Sequence, residues 1–290
     1  MSVEVQSLSR IVRGQKHLDG VSFAFPNGLF AVLAPPGGGK TTLVSVLATH
    51  AAPTEGTVLV GGQDLVAERR QLRDRIAYVP AGATAPGRFT VKEALDYSAV
   101  LHGLTQEAAR NVRTHRAAER MRLADVLDSP VESLPLGTQR QVAIAQALVI
   151  APVLVLADEP TADLHPTEAW VLRDLLGRLA EETPVLVTTA SVEETGMLAG
   201  GLLVLDRGRP LYAGSISHLL SSFDGRTWGI LTAWEQSLPS LNGAVRTGLW
   251  STPSGRLTRC VAGAPPHPDA RSIMPLLEDA YAVLLAHPPA

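Results

Sequence analysis

Lys40 and Thr41, with Gly37, Gly38 and Gly39 before them and Thr42 after, are residue types that in this order handle phosphate. Successive backbone amides of a glycine-rich turn can converge on an anion, and the start of a following helix adds favourable partial charge. Pro36, Gly37, Gly38, Gly39, Lys40, Thr41 and Thr42 are therefore the candidate cradle for a nucleoside triphosphate. Lys40 would reach the outer phosphates and the Thr41 hydroxyl would ligate magnesium. The pattern for such a loop is G-x-x-x-x-G-K-S/T, and Ala34 stands at its first glycine. If that position required positive φ, alanine would cost roughly 1–2 kcal/mol. The second candidate pair is Asp158-Glu159. Adjacent carboxylates at the end of an apolar run suit a magnesium shell, through Asp158, and polarisation of an attacking water, through Glu159. The bland reading of the first stretch is a glycine-rich helix entry with a surface lysine, and that of the second is a pair of solubilising acids, which the cradle upstream disfavours.

Such groups need a strand before them and a helix after. Leu29 to Leu33 reads as a buried strand feeding the cradle, and Leu43 to Leu47 as the helix leaving it. Val3 to Leu8 and Val21 to Phe25 alternate as strands of a flanking β-layer, with Pro26-Asn27-Gly28 as the turn. Further strands are expected at Gly56 to Val60 and Arg75 to Val79, with the charged segment Glu68 to Arg75 between them as a solvated face. Thr90-Val91-Lys92-Glu93 has capping-box spacing, and Ala94, Leu95, Tyr97 and Leu101 follow on one helical face. A second helix is expected from about Thr105 to Leu127, so that residues 84–150 form a helical insertion between sheet strands. Val153 to Ala157 is a continuous apolar run of the central parallel type, which places Asp158 and Glu159 at the strand edge where open α/β sheets bind ligands. Val185 to Thr189 and Leu202 to Leu205 are further strands, and Asp206-Arg207-Gly208 is a hairpin turn.

From about Ser221 the composition changes, and Trp228, Trp234 and Trp250 gather there. The expected division is residues 1–219 for the cradle-bearing domain and 220–290 for a small C-terminal α+β appendage. Strands are expected near Thr227 to Leu231, Ala244 to Thr252 and Leu257 to Ala262, a helix from Ser272 to Ala286, and the tryptophans in its core. The fold class is α/β.

A chain of 290 residues has ample core for this. Its formal charge of -3 gives no footprint for nucleic acid. The single cysteine, Cys260, excludes an internal disulfide framework, fits a reducing compartment and is expected as a buried apolar thiol. No basic segment followed by an apolar one marks a secretory signal near Met1. The longest apolar run, Val142 to Ala157, contains Gln146 and Pro152 and splits into a helix and a strand better than it spans a bilayer. The chain is expected to be soluble, or held at a membrane through a partner.

A cradle, then a helical insertion, then an apolar strand ending Asp158-Glu159-Pro160-Thr161-Ala162 resembles the ATP-binding subunits of ABC transporters over roughly Val3 to Gly214. Pro275 to Tyr281 also resembles the final helix of members that energise small exporter-type permeases. The resemblance implies a P-loop ATPase core with a flanking antiparallel β-layer and a helical subdomain. It further implies ATP and magnesium as ligands, a head-to-tail sandwich with a second ATP-binding subunit, and a separate transmembrane permease at the cytoplasmic face of the cell membrane.

Carried across residue by residue, Gly37 to Thr42 match the phosphate loop and Asp158-Glu159 the second motif, while other positions depart. The aromatic expected to stack on adenine would fall near Val12. Ala81 stands where a glutamine contacts magnesium, water and permease, and Ala190 where a histidine touches the γ-phosphate. Leu134-Pro135-Leu136-Gly137 stands for Leu-Ser-Gly-Gly in the segment facing the partner's nucleotide, and His165 for an aspartate. Pro135 removes a hydroxyl and an N–H, and Leu136 adds bulk where close approach is needed. Loss of a positioned donor such as the histidine costs on the order of 3 kcal/mol of transition-state stabilisation. The expectation is a subunit that binds ATP and hydrolyses it slowly beside a better-matching partner. The alternative is a hydrolysis-deficient subunit with a structural or regulatory role, and a nucleotide kinase or switch GTPase is a distant third. Phe89, in the loop Pro86-Gly87-Arg88-Phe89, is the first candidate for permease contact, with Tyr97 and Leu101 equally readable as helix packing.

Overall fold

Apolar residues that alternate along the central strands decide the layering of the chain. In the computed structural model, which describes residues 1–85, 88–198, 200–241 and 243–287, Leu154 and Leu156 point to one side of a six-stranded sheet while Val155 and Ala157 point to the other. Both faces are covered, as a mostly parallel sheet requires. Pro86 and Gly87, expected beside Phe89, and the proline-rich end at 288–290 lie outside the described residues.

The chain opens with β1 (Val3–Val12) and β2 (Gln15–Phe25), a hairpin whose pairing continues to Val12 and Gln15 through irregular register, so both strands outrun the expected ones. Next come β3 (Leu29–Leu33) and α1 (Lys40–Leu47), which bracket the glycine loop. Then follow β4 (Glu55–Val60), β5 (Gln63–Asp64), the short helix α2 (Arg69–Arg73) and β6 (Ile76–Val79). The charged segment is thus a helical turn and no simple solvated face. Its Leu72 is buried, and Arg69 donates two hydrogen bonds to the Thr49 carbonyl just past α1.

Three helices form the insertion: α3 (Val91–Leu101), α4 (Glu107–Arg120) and α5 (Leu136–Leu148). The Thr90 hydroxyl and the Glu93 carboxylate make the expected capping box at the head of α3. The second helix stops well short of Leu127. Arg122 takes φ 52° and the chain turns there, which lets Met121 and Leu123 both face the core.

The sheet resumes with β7 (Leu154–Asp158), α6 (Pro166–Glu182), β8 (Val185–Thr189), α7 (Val192–Leu198), β9 (Gly201–Asp206) and β10 (Arg209–Ser215), and α8 (Ile216–Ser221) follows. Its strand order is β10-β9-β3-β8-β7-β6, parallel throughout except for β10. The antiparallel layer β2-β1-β4-β5 packs over one face with α1, where Phe23, Phe25 and Phe30 stack 4.7–6.2 Å apart. Helices of the insertion, with α6, α8 and the C-terminal helix Leu277–Ala286, cover the other.

A third sheet, β12-β13-β11-β14, is built from β11 (Thr227–Thr232), β12 (Val245–Thr252), β13 (Gly255–Val261) and β14 (Arg271–Ser272), and is followed by α9 (Leu277–Ala286). The final helix starts later than expected because Arg271 and Ser272 pair with β11. Val261, Leu277 and Ala280 join the same apolar cluster as the insertion helices, so this end of the chain shares its core with the rest. The tryptophans do not form that core. Trp234 and Trp250 are exposed, and half-buried Trp228 donates its Nε1–H to the Ala262 carbonyl. Trp250 instead lies against Arg259, 5.2 Å from guanidinium carbon to ring centre, and shields a buried ion pair between Arg259 and Asp279. Cys260 is buried, and that burial pushes its thiol pKa up. No helix among the described residues is long and apolar enough to cross a membrane.

Candidate nucleotide site

The glycine loop runs from the end of β3 to the first turn of α1, at the C-terminal edge of the parallel sheet. It walls a cavity of about 470 Å³ together with Gln15, Lys16 and His17 of β2, Glu159, and Arg207 from the β9–β10 turn. All of Pro36 to Thr42 line it. The first amides of α1 have no acceptor within the helix and are free to meet an anion. Gly37 and Gly39 take φ 77° and 107°, the left-handed region that other residues enter at a cost. Ala34 is not among the residues with positive φ, so the expected strain from alanine there does not arise. Its methyl group instead restricts Gly38, where an added Cβ would lie 2.8 Å from it.

Lys40 is only 6% exposed. Its ammonium donates to the Ala34 carbonyl at 2.7 Å and lies 3.2 Å from Glu159 Oε1. The structure therefore joins the two motifs the sequence singled out, with Glu159 itself at φ 45° and its amide held by the Thr188 carbonyl and hydroxyl. Asp158 is buried beside them and accepts a hydrogen bond from the Thr188 hydroxyl. Burial, and then the charge of Asp158, raises the pKa of the nearby Tyr78 phenol.

Other expected residues lie elsewhere. Val12 does not line the cavity, and Ala81 and Ala190 are exposed. The histidine-less segment after β8 is braced by its own network: Glu194 accepts from Thr161 Oγ1 at 2.5 Å and Thr189 Oγ1 at 2.7 Å. Leu134 to Gly137 form the entrance to α5, with Pro135 as N-cap and no side-chain cap. Arg140, one turn on, is buried and donates to the Ala83 carbonyl at 2.8 Å, tying α5 to the segment after β6. Its burial lowers the guanidinium pKa, opposed by Asp163. His165 caps α6, with Nδ1 2.8 Å from Thr167 Oγ1. Phe89 requires a correction. It is half-buried, stacks edge-on against Tyr97 at 5.5 Å and packs on the helical core, whereas Tyr97 is exposed and Leu101 is 67% exposed. A loop aromatic found enough apolar surface in its own subunit to fold back onto it.

Arg207, Gln15, Lys16 and His17 escaped the sequence reading. Arg207 belonged to a recognised turn, but its place beside the cradle depends on tertiary contacts: Gly208 N–H donates to the Gly38 carbonyl at 3.0 Å, and Asp19 N–H to the Gly208 carbonyl at 2.9 Å. Gly208 sits at φ 78°, and a Cβ there would lie 2.3 Å from the His17 carbonyl oxygen. Gly208→Ala is expected to cost more than the roughly 1–2 kcal/mol of left-handed strain alone and to lift the turn from the cradle. Thermal unfolding and nucleotide titration should fall together; a variant with unchanged melting would show that the turn is not clamped.

Residues 18–162, about half of the chain, match the family model for the ABC transporter. The chain is 33% identical over 229 residues to the daunorubicin resistance ATP-binding protein DrrA3 of Streptomyces coeruleorubidus, covering 77% of this chain and 71% of that one. It is 34% identical over 218 residues to the ABC transporter ATP-binding/permease protein Rv1747 of Mycobacterium tuberculosis, covering 73% of this chain and only a quarter (25%) of that longer relative. Among solved structures, cbiO1 from Clostridium perfringens, part of the ABC transporter complex cbiONQ, aligns with a TM-score of 0.68 at 23% identity over 76% of this chain and 90% of that one, which speaks for the fold alone. The family match begins on β2 and ends just past Glu159, and so takes in the loop and both carboxylates. This chain belongs to the ABC transporter family, as one of its ATP-binding subunits.

Proposed function

We propose that this subunit binds ATP with magnesium in the Lys40 cradle, hydrolyses it slowly and drives a separate exporter-type permease beside a second ATP-binding subunit. The observation that carries this is the placement of Lys40, buried at the cavity and shared between Glu159 and the Ala34 carbonyl. A triphosphate entering the loop would offer the ammonium a stronger partner and release Glu159 to face the attacking water. Thr41 and Asp158 supply the oxygen donors that suit magnesium, which when bound would neutralise charge on the phosphates. Low turnover is supported by Ala81, Ala190 and the Pro135-Leu136 pair, each lacking a donor that the resemblance calls for.

The exporter assignment draws on relatives whose names refer to daunorubicin resistance and Nod factor export. Pairing draws on the solved dimer of the MJ0796 cassette, similar in fold at a TM-score of 0.64. Residues 1–219 would then be the motor and 220–290 an accessory unit docked on it. The permease would sit against the insertion, where Tyr97, Val100 and Leu101 are exposed, with Phe89 supporting Tyr97 from beneath. The subunit would lie at the cytoplasmic face of the cell membrane, with no role for nucleic acid. The second reading, a nucleotide-binding subunit that does not hydrolyse, is favoured by one observation: Glu159 spends its charge on Lys40.

Glu159→Gln separates the two. Under the motor reading, turnover drops by roughly a hundredfold or more while ATP affinity holds or rises, because Lys40 loses a competing carboxylate. Turnover unchanged in a phosphate-release assay would remove Glu159 from catalysis; no turnover in wild type, with function of the membrane complex kept in Glu159→Gln and lost in Lys40→Ala, would leave ATP as a structural ligand.

A further inference from the structure

One carboxylate joins the heads of two helices that flank the partner-facing segment. Glu168, in the first turn of α6, accepts a hydrogen bond from the Gly137 N–H through Oε1 at 3.1 Å and from the His165 N–H through Oε2 at 3.2 Å. The second contact completes the capping box of α6. The first reaches across to α5, whose N-cap is Pro135 and which receives no side-chain cap of its own. Contact there is close: a Cβ added at buried Gly137 would lie 2.7 Å from the Glu168 Cβ. Glu168 takes part in none of the ion pairs found among the described residues.

The head of a helix carries roughly half a positive charge on its free amides. At α5 the proline contributes no N–H, Gly137 has already given its own, and a full negative charge sits against what remains. An incoming phosphate would meet a carboxylate where a neutral site would offer donors.

We infer that Glu168 is a built-in occupant of the anion position at the head of α5, and that it closes the half-site this segment would present to a nucleotide held by a facing subunit. The inference rests on the sandwich arrangement proposed above. Glu168 acts as a positioning residue: it decides whether the facing γ-phosphate can engage, and leaves the chain's own cradle alone. Opening the half-site requires the carboxylate to leave the Gly137 N–H.

The test uses the full chain, magnesium and either a non-hydrolysable ATP analogue or ADP, with self-association followed by analytical ultracentrifugation. Wild type should associate weakly with either nucleotide. Glu168→Ala and Glu168→Gln should each strengthen association with the triphosphate analogue by roughly tenfold, a size set by one charge at a partly buried helix end, and leave it unchanged with ADP. Titration of the analogue into dilute protein should give the same affinity for all three proteins. A gain limited to the triphosphate is not what a weakened helix cap would produce. Glu168→Gln keeps the side-chain length and one acceptor oxygen, able to serve the His165 or the Gly137 amide, and carries the test if Glu168→Ala folds poorly. Tight association of wild type with the analogue, or association of Glu168→Gln equal to that of wild type while titration shows normal binding, would overturn the inference. Failure of wild type to bind the analogue at all would instead remove the nucleotide reading on which it stands.

Discussion

Lys40→Ala should reduce affinity for magnesium ATP by roughly a hundredfold or more, since charge-assisted hydrogen bonds to phosphate are worth about 3 kcal/mol at a partly dry site. The position makes the effect large. Lys40 is 6% exposed, its ammonium is fixed by the Ala34 carbonyl, and the surrounding loop has no second lysine or arginine between Ala34 and Thr42. Removing it also leaves the Ala34 carbonyl without that donor and Glu159 without its cation. Stability should therefore drop by about 1–3 kcal/mol as well. Calorimetric titration at matched folded concentration separates the two effects. Affinity within a few fold of wild type would mean that the amides and Thr41 do the work alone.

The second large effect lies far from the cradle. Asp279 is 1% exposed and accepts from Arg259, Thr247 and the Leu276 amide, while Arg259 also donates to the Met274 carbonyl. Asp279→Ala strands a buried guanidinium and is expected to cost about 3–5 kcal/mol, whereas replacing both partners by apolar residues of similar size should recover much of that loss. Urea denaturation of the two single variants and the double variant tests the coupling. Additive losses would show that the pair is solvated in the folded chain. Because α9 contributes Leu277 and Ala280 to the shared core, the destabilisation should appear in the main unfolding transition and not as early fraying of the tail.

What could be read from the sequence follows from how local each feature is. The cradle was legible because strand, glycines, Lys40-Thr41 and helix are contiguous, and the Leu154–Asp158 strand because an apolar run of that length ends in acids. The capping box at Thr90 needs only three residues of context. Glu168 and Gly137 are 31 residues apart and belong to different helices, so no periodicity could link them. Arg207 at the cavity depends on the β9–β10 turn docking on β2 and the loop, and Arg69 on the crossing of α2 past the end of α1. The tryptophans misled for a compositional reason. Size predicts burial on average, but Trp250 serves here as an exposed cover over a charged pair. Phe89 misled in the opposite sense, since its flanking prolines and glycines describe the backbone and not where the ring goes.

Isothermal titration of the purified full chain with ATP in the presence of magnesium tests most directly whether the Lys40 loop holds magnesium ATP: saturable one-to-one binding that weakens when magnesium is chelated, and by roughly a hundredfold in Lys40→Ala, is the expected result. Heat indistinguishable from dilution up to about 1 mM nucleotide, a concentration at which even a 4 kcal/mol interaction would register, would contradict it.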